Sequence, residues 1–293
     1  MKRYFLFFFI CFNAFLYSNA QSFEDIFVDQ EWMHNHLSDK SYIILHVDQP
    51  DNYAKGHIPG ALYMGRESYA ATRNGLYFEM PDPVGFAEEL RKRGIEDGTM
   101  VILSSGWDTF AHAFRLYVTF EYYGLDKQVR ILDGGIRGWE AQGYSVSQDS
   151  VVSEPADDRI LLKENAQILV EKDWIRSNLS DPSTCIIDAR KENFYTGSEK
   201  GSYTRSGHIR GAKNLTWTTL VDDHFILLPP DSLKQKYREI VGGEKKKLIL
   251  YCHVALRASV LYTVGKALGY EVRLYDGSYN EWDGLDDSYP VEN

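Results

Sequence analysis

The order of motifs in this 293-residue chain occurs twice, and that duplication narrows the possible folds more than any single motif does. The first pass opens a helix at Asp29-Gln30-Glu31-Trp32 with Leu37. It continues through the apolar strand Ile43-Ile44-Leu45, the turn Gly56-His57-Ile58-Pro59-Gly60-Ala61, the strand Met100-Val101-Ile102-Leu103, and Asp133-Gly134-Gly135 with Trp139. The second pass repeats the order: Trp174 with Leu179, Cys185-Ile186-Ile187, Gly207-His208-Ile209-Arg210-Gly211-Ala212, a strand ending at Tyr251, and Asp276-Gly277-Ser278 with Trp282. Matching features lie 142 to 151 residues apart, the spread reflecting loop length.

Short all-apolar strands alternate with helical patterns such as Gly85 to Lys92 and Ala111 to Tyr123. That combination predicts parallel strands covered by helices on both faces, because a strand buried on both sides shows no polar alternation. The expected fold is α/β, with two tandem doubly wound domains. The polar, acidic stretch around Pro155 has no clear period and reads as a connector. The boundaries expected are 1–20, 21–148, a linker at 149–165, and 166–293.

Chemistry concentrates where Leu248-Ile249-Leu250-Tyr251 runs into Cys252-His253-Val254-Ala255-Leu256-Arg257 and then into an apolar helical stretch. A loop between a strand end and a helix start turns backbone N–H groups inward, and the helix terminus adds partial positive charge. Such a site stabilises a thiolate or an oxyanion, which makes Cys252 the candidate nucleophile. Four residues separate Cys252 from Arg257, a cradle for one sulfur or a small anion. The dual-specificity cell-cycle phosphatases use a Cys-x5-Arg loop with room for a phosphoryl group, one residue longer than this one.

The strand-Cys-x4-Arg-helix unit, the Gly-His-Ile-Arg-Gly-Ala turn before it and Tyr275-Asp276-Gly277-Ser278-Tyr279-Asn280-Glu281-Trp282 after it together resemble the rhodanese sulfurtransferases, and the resemblance covers nearly the whole chain beyond residue 20. It implies a catalytically silent first domain and a second domain carrying a Cys252 persulfide. The expected donor is a small sulfur-containing anion, thiosulfate or 3-mercaptopyruvate, and the acceptor is cyanide or a thiol. Arg257, His253 and Arg190 are the expected substrate-binding residues, with Asp188 and Ala255 supporting the loop. A role for Arg257 in bracing the loop through carbonyls stands as the alternative to anion binding. No organic cofactor or metal is expected, since no Cys and His spacing matches a metal cluster. A sulfur-carrying or sulfur-sensing module that works with a partner protein is the alternative function.

The loop departs from its counterparts in that family. Thiosulfate enzymes tend to carry Cys-Arg-Lys-Gly or Cys-Arg-x-Gly-x-Arg, and mercaptopyruvate enzymes Cys-Gly-Ser-Gly-Val-Thr, whereas this chain has His253, Val254 and Ala255. A further family arginine after the Asp-x-Arg element is replaced near Asn193, leaving Lys191, Lys200 and Arg205 as substitutes. Ser104-Ser105-Gly106 follows the matching strand of the first repeat, with no cysteine and no Gly-x-Ser-x-Gly elbow. His57 and His208, duplicated into a half without the nucleophile, read as turn residues, and Trp139 and Trp282 as core.

Lys2 and Arg3, an apolar stretch from Tyr4 to Tyr17 and Ser18-Asn19-Ala20 read as a secretory signal, so a periplasmic or secreted protein is expected. The stretch is short for a membrane span, and no stable membrane insertion is expected once the signal is removed. Removal takes the formal charge from −10 to −12, a sign unsuited to nucleic acid. Lys245-Lys246-Lys247 reads as a solvated strand entry. Beyond the signal the only cysteines are Cys185 and Cys252, so stability rests on the core and Cys185 reads as packing.

Overall fold

A computed structural model describes residues 21–242 and 246–293; the expected signal segment and Lys245 lie outside them. Two five-stranded parallel sheets form, with the same strand order. In the first, the order is Phe27–Val28, Val129–Leu132, Met100–Ser105, Tyr42–Val47 and Leu62–Met64. In the second it is Leu169–Val170, Val272–Tyr275, Lys247–Tyr251, Thr184–Asp188 and Lys213–Asn214. The expected helices appear as Pro83–Lys92 and Phe110–Tyr122. Their neighbours bury Val, Ile and Leu on both faces of the central strands, as parallel sheets require.

Each Gly-His-Ile turn is held in the same way. The His57 and His208 rings are buried, with Nδ1 2.8 Å from the carbonyls of Tyr53 and Tyr195, and each stacks on that tyrosine at 3.9 and 3.8 Å. A late chain segment then pairs antiparallel with each turn, Ser147 with His57 and Glu292 with His208. These histidines serve structure, and so do Trp139 and Trp282, which are buried with their indole N–H groups on the Ser145 and Pro290 carbonyls. Cys185 is buried among apolar neighbours, and both Cys185 and Cys252 are free thiols.

Residues 149–165 contain neither helix nor strand. The two units nonetheless share one continuous apolar core that includes Phe114, Leu116 and Val118 from the first and Val260, Leu261 and Val264 from the second. The helices Phe110–Tyr122 and Ala258–Ala267 pack against each other, and Lys266 binds Glu121 at 2.7 Å and Asp126 at 3.1 Å along that seam. No helix among the described residues is long and apolar enough to cross a membrane.

Candidate active site

Cys252 stands at the carboxyl end of the central strand Lys247–Tyr251, where ligands of open parallel sheets bind. The loop 253–257 folds back over it and the helix Ala258–Ala267 begins at once, so the N–H groups of Val254, Arg257 and Ala258 are all directed at the sulfur. The Cys252 side chain is only 1% exposed. Burial therefore pushes its thiol up, and the three N–H groups and the Arg257 charge only partly offset this. The loop motif predicts the attractive groups; the closed cradle that supplies them also removes water.

Ser278 holds the loop closed. Its hydroxyl accepts from the N–H groups of Ala255 at 2.9 Å and Cys252 at 3.3 Å, and donates to the Tyr275 carbonyl at 2.9 Å. The N–H groups of Tyr279 and Asn280 donate to the carbonyls of Cys252 and His253, both at 3.0 Å. From sequence the Asp-Gly-Ser segment predicts a turn at a strand end and nothing more. Its serine, where the first repeat has Gly135, was the available signal for this clamp.

Ala255 adopts φ +59°, the left-handed conformation that favours glycine. A side chain there costs roughly 1–2 kcal/mol, while removing the buried methyl forfeits about 0.8 kcal/mol of apolar burial. The two terms nearly cancel. Ala255→Gly is expected to leave stability within about 1 kcal/mol of the parent in urea titration, although the site is fully buried.

Asp188 and Arg190 form a buried bidentate pair, with Nη2 2.7 Å from Oδ2 and Nε 3.0 Å from both oxygens. Arg190 also donates to the Gly207 carbonyl at 2.7 Å and lies 3.8 Å above the Tyr279 ring. Of the side chain expected to bind substrate, Nε and Nη2 are committed to the scaffold, and the residue is 1% exposed. Asp188 in turn accepts from the Tyr251 hydroxyl at 2.8 Å, so the pair braces the residue immediately before Cys252. Arg205, one of the substitutes considered for binding an anion, donates to the carbonyls of Tyr289 and Trp282 and is likewise occupied.

Arg257 behaves differently. It is exposed, and its guanidinium makes no hydrogen bond or ion pair among the described residues, so the bracing alternative has no contact to support it. Its field reaches Cys252, His253 and, from the first unit, His112. His253 is half-buried with Nδ1 2.8 Å from the Tyr203 hydroxyl; burial, then Arg190 and Arg257, push it down to about 3. It is neutral at any ordinary pH and supplies no charge to an anion. His112 mirrors it, with Nδ1 2.7 Å from the Tyr69 hydroxyl and a value lowered to about 4, chiefly by burial and further by Arg66 and Arg257. Two neutral imidazoles, one from each unit, thus lie within reach of the Arg257 field.

Sheet register puts Ser105 where the second unit has Cys252. Ile44 pairs with Ile102 and His46 with Ser104, the residue before Ser105, as Ile186 pairs with Ile249 and Asp188 with Tyr251, the residue before Cys252. Gly135 and Ser278 share φ +52°, but a Cβ on Gly135 would lie 2.2 Å from Ser105 Oγ, so the first unit has no room for the serine clamp. His46 and Asp48 replace Asp188 and Arg190, acid and base exchanged, at 3.7 Å.

A buried thiol stands at a sheet's carboxyl edge, ringed by N–H donors and within the field of one uncommitted guanidinium, an arrangement able to stabilise negative charge on sulfur. Residues 29–142 and 171–285 each match the rhodanese-like domain, and the chain belongs to that family. It is 28% identical over 289 residues, 87% of this chain and 83% of the relative, to thiosulfate/3-mercaptopyruvate sulfurtransferase 2 of Arabidopsis thaliana. It is also 28% identical to a sulfur carrier protein of Thermus thermophilus, over 89% of this chain and 94% of the relative. The solved structure of the 3-mercaptopyruvate sulfotransferase SseA of Escherichia coli superposes with a TM-score of 0.74 at 25% identity, covering 86% of this chain and 98% of that one. These relationships support sulfur transfer as the activity.

Proposed function

We propose that the protein is an exported sulfurtransferase in which the Cys252 thiolate attacks the sulfane sulfur of thiosulfate. The sulfur–sulfur bond of the donor breaks, sulfite leaves with the bonding pair, and Cys252 becomes a persulfide. Cyanide or a thiolate then attacks the terminal sulfur and the Cys252 thiolate returns as leaving group. The observation that carries this reading is the convergence of the Val254, Arg257 and Ala258 N–H groups on one buried sulfur beside an unpaired guanidinium. Fixed dipoles aimed at a site of developing negative charge are the main source of stabilisation in group transfer. 3-Mercaptopyruvate, anionic through its carboxylate, is the second donor the same guanidinium suits. In this reading residues 21–148 form a catalytically silent unit contributing the His112 side of the cleft, 149–165 join it to the catalytic unit 166–293, and the basic-then-apolar residues 1–20 direct export. Kinetics with each donor, with intact mass after donor treatment, tests the activity: absence of a one-sulfur gain on Cys252 defeats it.

Arg257→Lys keeps the charge and loses the planar fork. Donor kcat/KM is expected to fall about tenfold, as for a lost charge-assisted hydrogen bond, with the melting temperature unchanged because the side chain braces nothing. Unchanged kinetics with both anionic donors would remove Arg257 from the site.

The alternative, a sulfur carrier that yields its sulfur only to a partner protein, draws on the departures at His253 and Val254 and on the carrier relative from Thermus thermophilus. Fast turnover with cyanide or a small thiol leaves it without support.

A further inference from the structure

We propose that Arg115, in the unit without a nucleophile, is a positioning residue for the Cys252 cradle, so that the silent half sets the geometry of the catalytic one. The inference rests on sulfur transfer at Cys252 as proposed above. Arg115 lies in the helix Phe110–Tyr122 and is fully buried. Its Nη1 is 2.6 Å from Asp276 Oδ1, and its Nη2 donates to the Phe78 carbonyl. The other oxygen of Asp276 accepts the Met80 N–H at 3.2 Å, so both oxygens of this second-unit carboxylate are held by the first unit.

Asp276 begins the segment that clamps the active loop. Two residues on, Ser278 binds the Cys252 and Ala255 N–H groups, and Tyr279 and Asn280 bind the Cys252 and His253 carbonyls. Ser278 sits at φ +52°, a conformation a non-glycine residue keeps only when its surroundings impose it. The chain of contacts from Arg115 through Asp276 to Ser278 is short, buried and free of exposed links. Shifting Asp276 moves the clamp, and with it the N–H groups that face the sulfur.

The pseudo-equivalent turn shows what the arginine adds. Asp133 of the first unit accepts the Leu227 N–H of the second at 2.9 Å, the counterpart of the Asp276–Met80 contact, but no cation among the described residues pairs with it. Burial pushes Asp133 up to about 7. The contact that orients the functional loop is the one provided with a charge.

The test compares Arg115→Gln, Arg115→Lys and the double variant Arg115→Gln/Asp276→Asn, the last removing both buried charges so that it folds even where the single glutamine variant does not. Three quantities are read well below each melting temperature: kcat, donor KM, and the midpoint of the pH profile of Cys252 alkylation. Accessibility alters the plateau of that profile, whereas loss of aligned N–H groups moves its midpoint. The groups facing the sulfur are the Arg257 charge and Tyr203, whose phenol burial keeps neutral. The expected result for the glutamine and double variants is a kcat about tenfold lower with KM changed less than about twofold, and a midpoint moved to higher pH, since misplacement of a cradle by a fraction of an ångström is enough for such a loss. Arg115→Lys, which keeps the Asp276 ion pair, recovers most of the rate. A folded double variant with parental kcat and midpoint overturns the proposal. If the parent forms no persulfide, sulfur transfer itself fails, and the alkylation midpoint alone still decides the role of Arg115.

Discussion

Cys252→Ser is expected to abolish sulfur transfer, with residual turnover at or below about one thousandth of the parent, because a hydroxyl is far too weak an acid to provide an anion at neutral pH and stores no sulfane sulfur. The fold should survive the change. The side chain is small, its backbone N–H keeps the Ser278 hydroxyl and its carbonyl keeps the Tyr279 N–H. Discontinuous thiocyanate assay and intact mass on a sample with a parental melting curve make the check. Measurable persulfide-dependent turnover in that variant would shift the chemistry to another group.

Arg190→Met is expected to produce the largest loss of stability. Removing the guanidinium leaves the Asp188 carboxylate buried, with the Arg190 backbone N–H and the Tyr251 hydroxyl as its remaining donors. Breaking a buried pair from one side costs about 3–5 kcal/mol, a fifth or more of the roughly 5–15 kcal/mol that holds a domain together. Replacing both partners, Asp188→Asn with Arg190→Met, is expected to cost clearly less, since no uncompensated charge is left. Urea unfolding of the two variants gives the comparison. A loss below about 1 kcal/mol for the single variant would show that the pair is a minor contributor.

The repeat, the parallel sheets and the strand carrying Cys252 were legible in the sequence because each rests on local pattern. Apolar strand length, the Gly-His-Ile turn and the Asp-Gly turn are set by neighbours in the chain. What was not legible depends on distances between residues far apart in sequence. Asp-x-Arg at 188–190 gives no sign of whether its arginine faces a substrate or its own aspartate; the closure by Gly207 and Tyr279 decides it. The balance at Cys252 escaped for a similar reason. Motifs announce the N–H donors and Arg257, but the loss of water appears only when the loop is closed over the sulfur. Ser278 and Arg115 act through contacts spanning 23 to 161 residues, beyond any periodicity.

The paired contacts across the seam carry a consequence for symmetry. Asp133 reaches the Leu227 amide and Asp276 reaches the Met80 amide, so the same surface of each half receives the same surface of the other. Reciprocity of that kind is what a two-fold symmetric homodimer produces, where residue i meets j and j meets i. The chain accordingly holds its two repeats as a two-fold pair would, while a single chain leaves the two free to differ in sequence. They do differ at the register position of the nucleophile, Ser105 in one and Cys252 in the other. Separated at the connector, the halves would each present to water the apolar face they now bury against one another.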